Sequence, residues 1–157
     1  MEKKTRVIAE AGKQEMLITR EFELPLDLLF KAYAEPELLE EWMGTKVVKL
    51  ENRPQGSWHF QTRDKEGNIV FEGFGVIHEF EPEKKLTRTF EMANAGLGPQ
   101  LEFFEFEALS EDKSRLTMHI IFRSVAHRDK MIEFGMDWGI NMAHNQLQKV
   151  AEKKLHH

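Results

Sequence analysis

The stretch "EFGMDWGINMAHN", residues 133–145, lies at the centre of the segment that decides the fold. Residues 128–154 contain no proline and are rich in helix formers, so they predict a long carboxyl-terminal helix. Gly135 and Gly139 stand four residues apart in its first half, although a glycine in a helix interior costs roughly 1 kcal/mol against alanine. A helix with two such glycines covers something that needs the space of two missing side chains.

The apolar residues of this helix fall on two faces. One face runs the whole length and is the core face typical of an amphipathic helix: Ile132, Met136, Gly139, Ile140, Ala143, Leu147 and Val150. The other, called the second stripe here, lies about 120–140° away at 100° per residue and consists of Met131, Phe134, Trp138 and Met142. The first half of the helix is therefore apolar around most of its circumference.

Three interpretations account for this pattern. The glycines could let the helix pack tightly on a sheet, with the second stripe covered by other helices. They could instead roof an internal cavity lined by methionines and aromatic rings, which the adaptability of methionine favours. The third interpretation is a homodimer that pairs through the second stripe.

The rest of the chain predicts an antiparallel sheet and two short helices. Residues 15–24 alternate as a strand, and a short strand near residues 5–10 could precede it. Two short helices follow, with Pro36 starting the second and Gly44 ending it. From residue 45 to about 122, β-rich runs alternate with turns. The fold class is α+β, with a sheet of about six or seven strands in a single domain over residues 1–157.

Strand parity places one charge among apolar side chains. Arg88 shares its face with Leu86, Phe90 and Met92. If residues 93–99 close a hairpin, residue 90 lies near residue 102 and Arg88 is diagonal to Glu102. A buried arginine needs a carboxylate partner. Arg88 therefore either reaches water at the end of the sheet or forms the polar anchor of an otherwise apolar pocket.

Composition excludes several classes of protein. The net charge of −5 argues against nucleic acid as a partner. The sequence contains no run of about 18 apolar residues, so membrane insertion is not expected. The absence of cysteine excludes disulfides and thiolate chemistry, and the expected location is cytoplasmic. His156 and His157 are set aside, because a purification tag could supply them.

The polar residues give little sign of metal or catalytic chemistry, and no cofactor is expected. No close ligand spacing appears among the histidines, and five are expected to face solvent: His59, His78, His119, His127 and His144. Ser57 lacks the flanking glycines of a nucleophile elbow. Glu102 and Tyr33 are weak candidates for proton transfer, because each could act if it lay inside a cavity.

Three stretches resemble one known group of proteins. They are "ITREFELPLDLLFKAYAEPELLEEWMG" at residues 18–44, "GVIHEFEPEKKLTRTF" at 75–90 and "GMDWGINMAHNQL" at 135–147. They resemble the START-like, or SRPBCC, superfamily, in the branch related to the activator of heat shock protein 90 ATPase. The first stretch is the most distinctive, because it combines Arg20, Phe22, Pro25, Phe30, Ala32, Pro36 and Trp42 in one spacing.

The resemblance implies a helix-grip fold, in which a curved antiparallel sheet grips the carboxyl-terminal helix around a hydrophobic cavity. Such cavities hold lipids and other apolar molecules, so a hydrophobic small molecule or lipid is the expected partner. An aromatase/cyclase-type enzyme and a self-associating interaction module are the alternatives. A chaperone partner is not expected, because that activity belongs to larger members with an additional domain.

The residues expected to contact the ligand form walls, a lid and an anchor. The walls are Trp58, Phe60, Phe71, Phe90, Phe104, Phe106 and Met118. The lid is Met131, Gly135, Met136, Trp138 and Gly139, and the anchor is Arg88.

Overall fold

A computed structural model describes residues 4–156 of the chain. His157 and the side chain of His156, both set aside above, lie outside the described part. The strands are β1 (Arg6–Ile8), β2 (Glu15–Phe22), β3 (Lys46–Leu50), β4 (Ser57–Arg63), β5 (Ile69–Glu81), β6 (Lys85–Met92), β7 (Gln100–Ser110) and β8 (Lys113–Ile121). The helices are α1 (Leu26–Ala34), α2 (Pro36–Met43), α3 (Val125–Glu133) and α4 (Met136–Glu152), followed by a 3₁₀ turn at Lys153–His156.

The strands form one antiparallel sheet in the order β1-β2-β8-β7-β6-β5-β4-β3. The α+β class is confirmed, with eight strands in the described chain rather than six or seven. The short hairpin strand β1 extends one edge by pairing with β2. Consecutive strands from β3 to β8 are neighbours, whereas β2 pairs with β8 across most of the chain.

The two short helices begin and end where their sequence signals lie. Pro36 occupies the first turn of α2, where a backbone N–H has no partner within the helix. Gly44 ends α2 in the left-handed conformation at φ 63°, and its N–H donates to the Glu40 carbonyl at 3.0 Å. Both helices lie on the inner face of the sheet, where α1 contacts β7 and β8 and α2 packs on α4.

The predicted long carboxyl-terminal helix is present as α4, but its expected start near residue 128 is wrong, because a separate helix, α3, precedes it. Helix α3 starts after Ser124, whose hydroxyl accepts a hydrogen bond from the His127 N–H at 3.0 Å. It ends at Glu133, and Gly135 then takes a left-handed φ of 81° before α4 begins. Gly135 is therefore the turn between two helices, because its conformation is one that other residues adopt at a cost.

Glycines in β5 make room for large rings on the neighbouring strand. Trp58 lies directly opposite Gly75, and Phe60 lies opposite Gly73. A Cβ on Gly75 would lie 1.9 Å from the Thr89 carbonyl oxygen and 2.8 Å from the Trp58 indole nitrogen. The same indole N–H donates to that carbonyl at 3.0 Å. The backbone of β6 thus approaches β5 more closely than a side chain would allow.

The inner face of the sheet carries the core, and the helices lie against it. Its fully buried members include Met16, Ile18, Phe22, Trp58, Phe60, Ile77, Phe104, Leu116, Ile120 and Phe122. Within residues 4–156, no helix is long and apolar enough to cross a membrane.

We expect Gly75→Ala to destabilise the fold by about 3 kcal/mol or more, because its Cβ would meet backbone atoms that cannot move independently. Gly73→Ala is the matched control in the same strand. Its Cβ would meet ring atoms of Phe90 at 2.8 Å and Phe71 at 3.3 Å, which can shift, so a loss of about 1 kcal/mol is expected. Urea unfolding monitored by circular dichroism measures both. Equal losses in the two variants would contradict the proposed role of the Thr89 carbonyl.

Candidate functional site

A cavity of about 480 Å³ lies between the inner face of the sheet and the helices. Strands β4 to β8 supply its floor, and α1 to α4 supply its roof. The lining residues are Tyr33, Leu39, Trp42, Met43, Phe60, Phe71, Arg88, Phe90, Met92, Gln100, Glu102, Phe104, Met118, Met131, Phe134, Gly135, Met136, Gly139, Ile140, Ala143 and His144. Most of these side chains are aromatic or sulfur-containing, so the lining is chiefly apolar.

The exposed members of the lining mark the mouth of the cavity. Met43 is at the carboxyl end of α2 and is 37% exposed. Phe134, which is 56% exposed, lies at the junction of α3 and α4 beside the exposed Gly135 and Gly139. The cavity therefore opens to solvent between α2 and this junction, while its inner end lies under buried residues of α1, β7 and α4.

Most of the residues expected to contact a ligand line this cavity. They are Phe60, Phe71, Arg88, Phe90, Phe104, Met118, Met131, Gly135, Met136 and Gly139, together with the two weak catalytic candidates Tyr33 and Glu102. Three others lie outside the lining. Trp58 is buried behind Arg88 and Phe90, Phe106 packs against Phe30 and Tyr33, and Trp138 is 48% exposed.

The helix glycines do not serve tight packing. A Cβ built on Gly139 meets no atom within 4 Å, and the same holds for Gly135. The interpretation in which the glycines let the helix approach the sheet is therefore wrong. Its companion expectation, that α1 and α2 cover the second stripe, is also wrong, because Phe134, Trp138 and Met142 are 48–58% exposed and Met131 alone of the second stripe is buried.

Arg88 and Glu102 form an ion pair at the cavity wall. They are direct cross-strand partners rather than the diagonal pair expected, because Phe90 pairs with Gln100. Arg88 Nε donates to Glu102 Oε1 at 3.0 Å, and the Gln100 side-chain amide donates to Glu102 Oε2 at 2.9 Å. The side chains of Arg88 and Glu102 are 14% and 6% exposed. Arg88 is thus paired inside the protein and does not reach bulk water at a sheet end.

Aromatic rings hold the guanidinium of Arg88 in place. Its central carbon lies 4.3 Å from the ring centroid of Trp58 and 4.9 Å from that of Phe104, which is the range of cation–π contacts. Among the described residues, Nε is the one atom of this guanidinium that donates to a protein group. The Nη donors therefore remain available at the cavity surface.

A buried polar cluster behind Tyr33 was not expected. His144, assigned to the polar side of the helix, is 1% exposed and lines the cavity. Its Nδ1 lies 2.8 Å from the Thr5 hydroxyl, and its Nε2 lies 3.4 Å from the Tyr33 hydroxyl. Asn141 is also fully buried and accepts hydrogen bonds from the backbone N–H groups of Lys4 and Thr5 at 3.0 Å.

A signal for this burial was present in the sequence. His144 follows Ile140 by four residues and precedes Leu147 by three, so it lies beside the apolar face at helical spacing. Gln100 likewise shares strand parity with Glu102 and Phe104. Because of their residue types, His144 was expected to face solvent and Gln100 was left unassigned.

Burial fixes the protonation states of the two titratable groups in this cluster. It lowers the pKa of His144 to about 3, and the nearby Arg20 charge acts in the same direction. It raises the pKa of the Tyr33 hydroxyl well above its ordinary value, against the opposing influence of Arg88. At neutral pH the imidazole is therefore uncharged and the phenol keeps its proton.

The remaining histidines are divided between the surface and the core. The His119 side chain is 41% exposed beside Glu15, while the half-buried His59 lies 2.6 Å from a Glu72 carboxylate oxygen. The expectation of a solvent-facing His127 is wrong, because His127 is 4% exposed and its ring contacts the ring of Phe122. In the described part of the chain, no group of three or more His, Asp or Glu residues has the arrangement of a metal site.

We expect Gly139→Ala to stabilise the fold by about 0.5–1 kcal/mol, because alanine is the better helix former and its Cβ meets open space. Gly135→Ala is the matched control, since its Cβ also meets nothing but its left-handed φ costs about 1–2 kcal/mol for alanine. Urea unfolding of both variants gives the two free energies. A loss above 1 kcal/mol for Gly139→Ala would restore tight packing as the role of that glycine.

We expect His144 to make stability fall with acidity. An unfolded histidine titrates near pKa 6.5 and the folded one near 3, so below pH 6.5 the unfolded chain alone gains the proton. The resulting loss is about 2 kcal/mol at pH 5. His144→Gln removes the titration and leaves every other group unchanged, so wild type should lose about 2 kcal/mol more than this variant between pH 7 and pH 5. Parallel losses in urea unfolding would refute the neutral buried imidazole.

Comparisons with solved structures show the same fold over almost the whole chain. Protein Ms6760 from Mycobacterium smegmatis is 21% identical with a TM-score of 0.83, and the match covers 93% of this chain and 95% of that one. A protein from Arthrobacter aurescens is 21% identical with a TM-score of 0.84 over 94% and 91% of the two chains. Protein NE0264 from Nitrosomonas europaea is 22% identical with a TM-score of 0.79, covering 95% of this chain and all of that one.

A search of curated proteins finds no match to the sequence. A family model, described as "Activator of Hsp90 ATPase homolog 1-like protein", matches residues 23–152. That range runs from the end of β2 to the last residue of α4 and includes every residue that lines the cavity. The chain therefore belongs to the family of Activator of Hsp90 ATPase homolog 1-like proteins, as the resemblance in its sequence implied.

Proposed function

We propose that this protein binds an apolar or aromatic small molecule, or a lipid, in the cavity between its sheet and α4. The observation that carries the proposal is the cavity itself, which keeps about 480 Å³ of space among Phe, Met and Trp side chains. Pockets for small organic molecules span about 300–1,000 Å³ and are lined mainly by such residues.

The arrangement of the polar lining also supports binding. Arg88 presents its Nη donors at the cavity surface while its charge is balanced by Glu102. The wall therefore offers hydrogen bonds without an uncompensated charge, which suits a ligand that is mostly apolar.

The cytoplasmic location remains a prediction from the cysteine-free composition.

Binding is favoured over an aromatase/cyclase-type reaction by the state of the candidate proton-transfer groups. Both carboxylate oxygens of Glu102 already accept hydrogen bonds, from Arg88 and from Gln100. Tyr33 holds its proton at neutral pH, and His144 stays uncharged with a pKa of about 3. A general base works best with a pKa near the operating pH. Neither Tyr33 nor His144 meets that condition.

The homodimer and the chaperone partner are supported to different degrees. The exposure of Phe134 and Met142 leaves the dimer as a prediction, because a self-associating surface needs accessible apolar side chains. No chaperone contact is proposed, since the name of the family describes other members.

We expect the uncharged fluorophore N-phenyl-1-naphthylamine to bind saturably, with brighter emission in the apolar cavity. Ala143→Phe, which places a ring in the lining, should weaken this binding by about tenfold or more. Fluorescence titration measures the affinity, and native mass spectrometry of detergent-free protein checks whether a ligand is already bound.

Ala126→Phe is the matched control, because Ala126 is exposed in α3 and lies outside the cavity lining. It should leave the affinity unchanged. Circular dichroism must show that both variants remain folded. Absent binding, or equal binding by folded Ala143→Phe and wild type, would overturn the proposed function.

A further inference from the structure

The hydroxyl of Tyr33 is a polar group at the inner end of an apolar cavity. Its ring is fixed by edge and tilted contacts to Trp42, Phe104 and Phe106, with centroids 5.3–5.7 Å apart. Within residues 4–156 the hydroxyl has one hydrogen-bond partner, His144 Nε2 at 3.4 Å. What Tyr33 offers to a bound molecule therefore depends on which way that hydrogen bond runs.

The hydroxyl proton of Thr5 decides the direction. Thr5 is 1% exposed, and its Oγ1 has two partners in the described chain, Arg20 Nη1 at 3.0 Å and His144 Nδ1 at 2.8 Å. The Arg20 guanidinium is a donor and cannot accept a proton. The buried Thr5 O–H therefore donates to Nδ1, since leaving this buried donor without a hydrogen bond would cost about 1–3 kcal/mol.

This fixes the tautomer of His144. An uncharged imidazole that accepts at Nδ1 carries its proton on Nε2. Nε2–H then donates to the Tyr33 oxygen, so the tyrosine proton is not used by the protein. The hydrogen bonds run in one direction from Arg20 through Thr5 and His144 to Tyr33, and the last donor in the series faces the cavity.

The donor has a neighbour of the same kind. Tyr33 and Arg88 both lie against the ring of Phe104, and Arg88 has Nη donors at the same cavity surface. The Glu102 carboxylate nearby is already occupied by Arg88 and Gln100. A purely hydrocarbon ligand would bury the Tyr33 proton without an acceptor, and unmade hydrogen bonds of this kind discriminate strongly between ligands.

We propose that the cavity selects ring-containing apolar molecules that carry a carbonyl-type oxygen, with Tyr33 donating to that oxygen and with Thr5 and His144 as positioning residues. This inference rests on the proposed function and adds the class of ligand to it. The selected oxygen acts as an acceptor, because the protein groups that meet it are donors.

The test compares 9-fluorenone with fluorene, which share a ring skeleton and differ at one carbon that carries the ketone oxygen. Each competes with N-phenyl-1-naphthylamine, which lacks a carbonyl. Wild type should prefer the ketone, and Tyr33→Phe should lower the ketone-to-hydrocarbon affinity ratio by about fivefold or more. Ala126→Phe, the exposed variant outside the lining, is the control and should keep the wild-type ratio.

The positioning residues are tested through the same ratio. Thr5→Val removes the hydroxyl proton and should lower the ketone-to-hydrocarbon ratio. Thr5→Ser retains that proton and should keep the wild-type ratio. In wild type, nitrogen-15 spectra of His144 should show a protonated Nε2 and an unprotonated Nδ1. The opposite tautomer would overturn the inferred direction of donation.

The outcomes separate this inference from the proposed function. If neither compound nor the fluorophore binds, both proposals fail. If the compounds bind but wild type and Tyr33→Phe give the same ratio, the proposed function stands and the carbonyl selection is wrong. A ratio that falls in Tyr33→Phe and Thr5→Val but recovers in Thr5→Ser supports the inference.

Discussion

Eight strands spaced about 4.8 Å apart make a sheet roughly 34 Å wide, whereas a helix with its side chains is about 10–12 Å across. On the inner face α1 contacts β7 and β8, α2 contacts β3, α3 contacts β2, and α4 packs on α2. Between these contacts, over β4 to β8, the helices do not fill the space. The cavity is the volume left by this mismatch, and Gly139 enlarges it by lacking a side chain where a Cβ would meet no other atom.

The same geometry explains how a charged pair persists in apolar surroundings. Arg88 and Glu102 lie opposite each other on β6 and β7, and the Trp58 and Phe104 rings flank the guanidinium. A buried ion pair often adds little net stability, because desolvation offsets its attraction. Its main structural effect here is on register, since a slip of either strand by one residue would turn its charge to the other side of the sheet and separate the pair.

The sequence predicted the sheet, its turns and most of the cavity lining, because two-residue alternation reports which face a side chain takes. Phe60, Arg88 and Phe104 are inward for that reason. The break at Gly135 was not predicted, since a single glycine is compatible with both a costly helix interior and a left-handed turn. His144 and Asn141 were missed because their burial depends on partners more than 130 residues away, Lys4 and Thr5, which no local pattern reveals.

The pairing of β2 with β8 has a consequence for the order in which the chain folds. Met16 pairs with Ile120, so a strand formed among the first residues finds its main partner about a hundred residues later. During synthesis β2 therefore emerges long before β8, and its apolar side chains stay exposed until β8 pairs with it. Contacts this distant in sequence slow folding, because the entropy of closing the loop is lost before the pairing stabilises it. The helix α4 follows β8, so during synthesis the cavity is enclosed only after both have emerged.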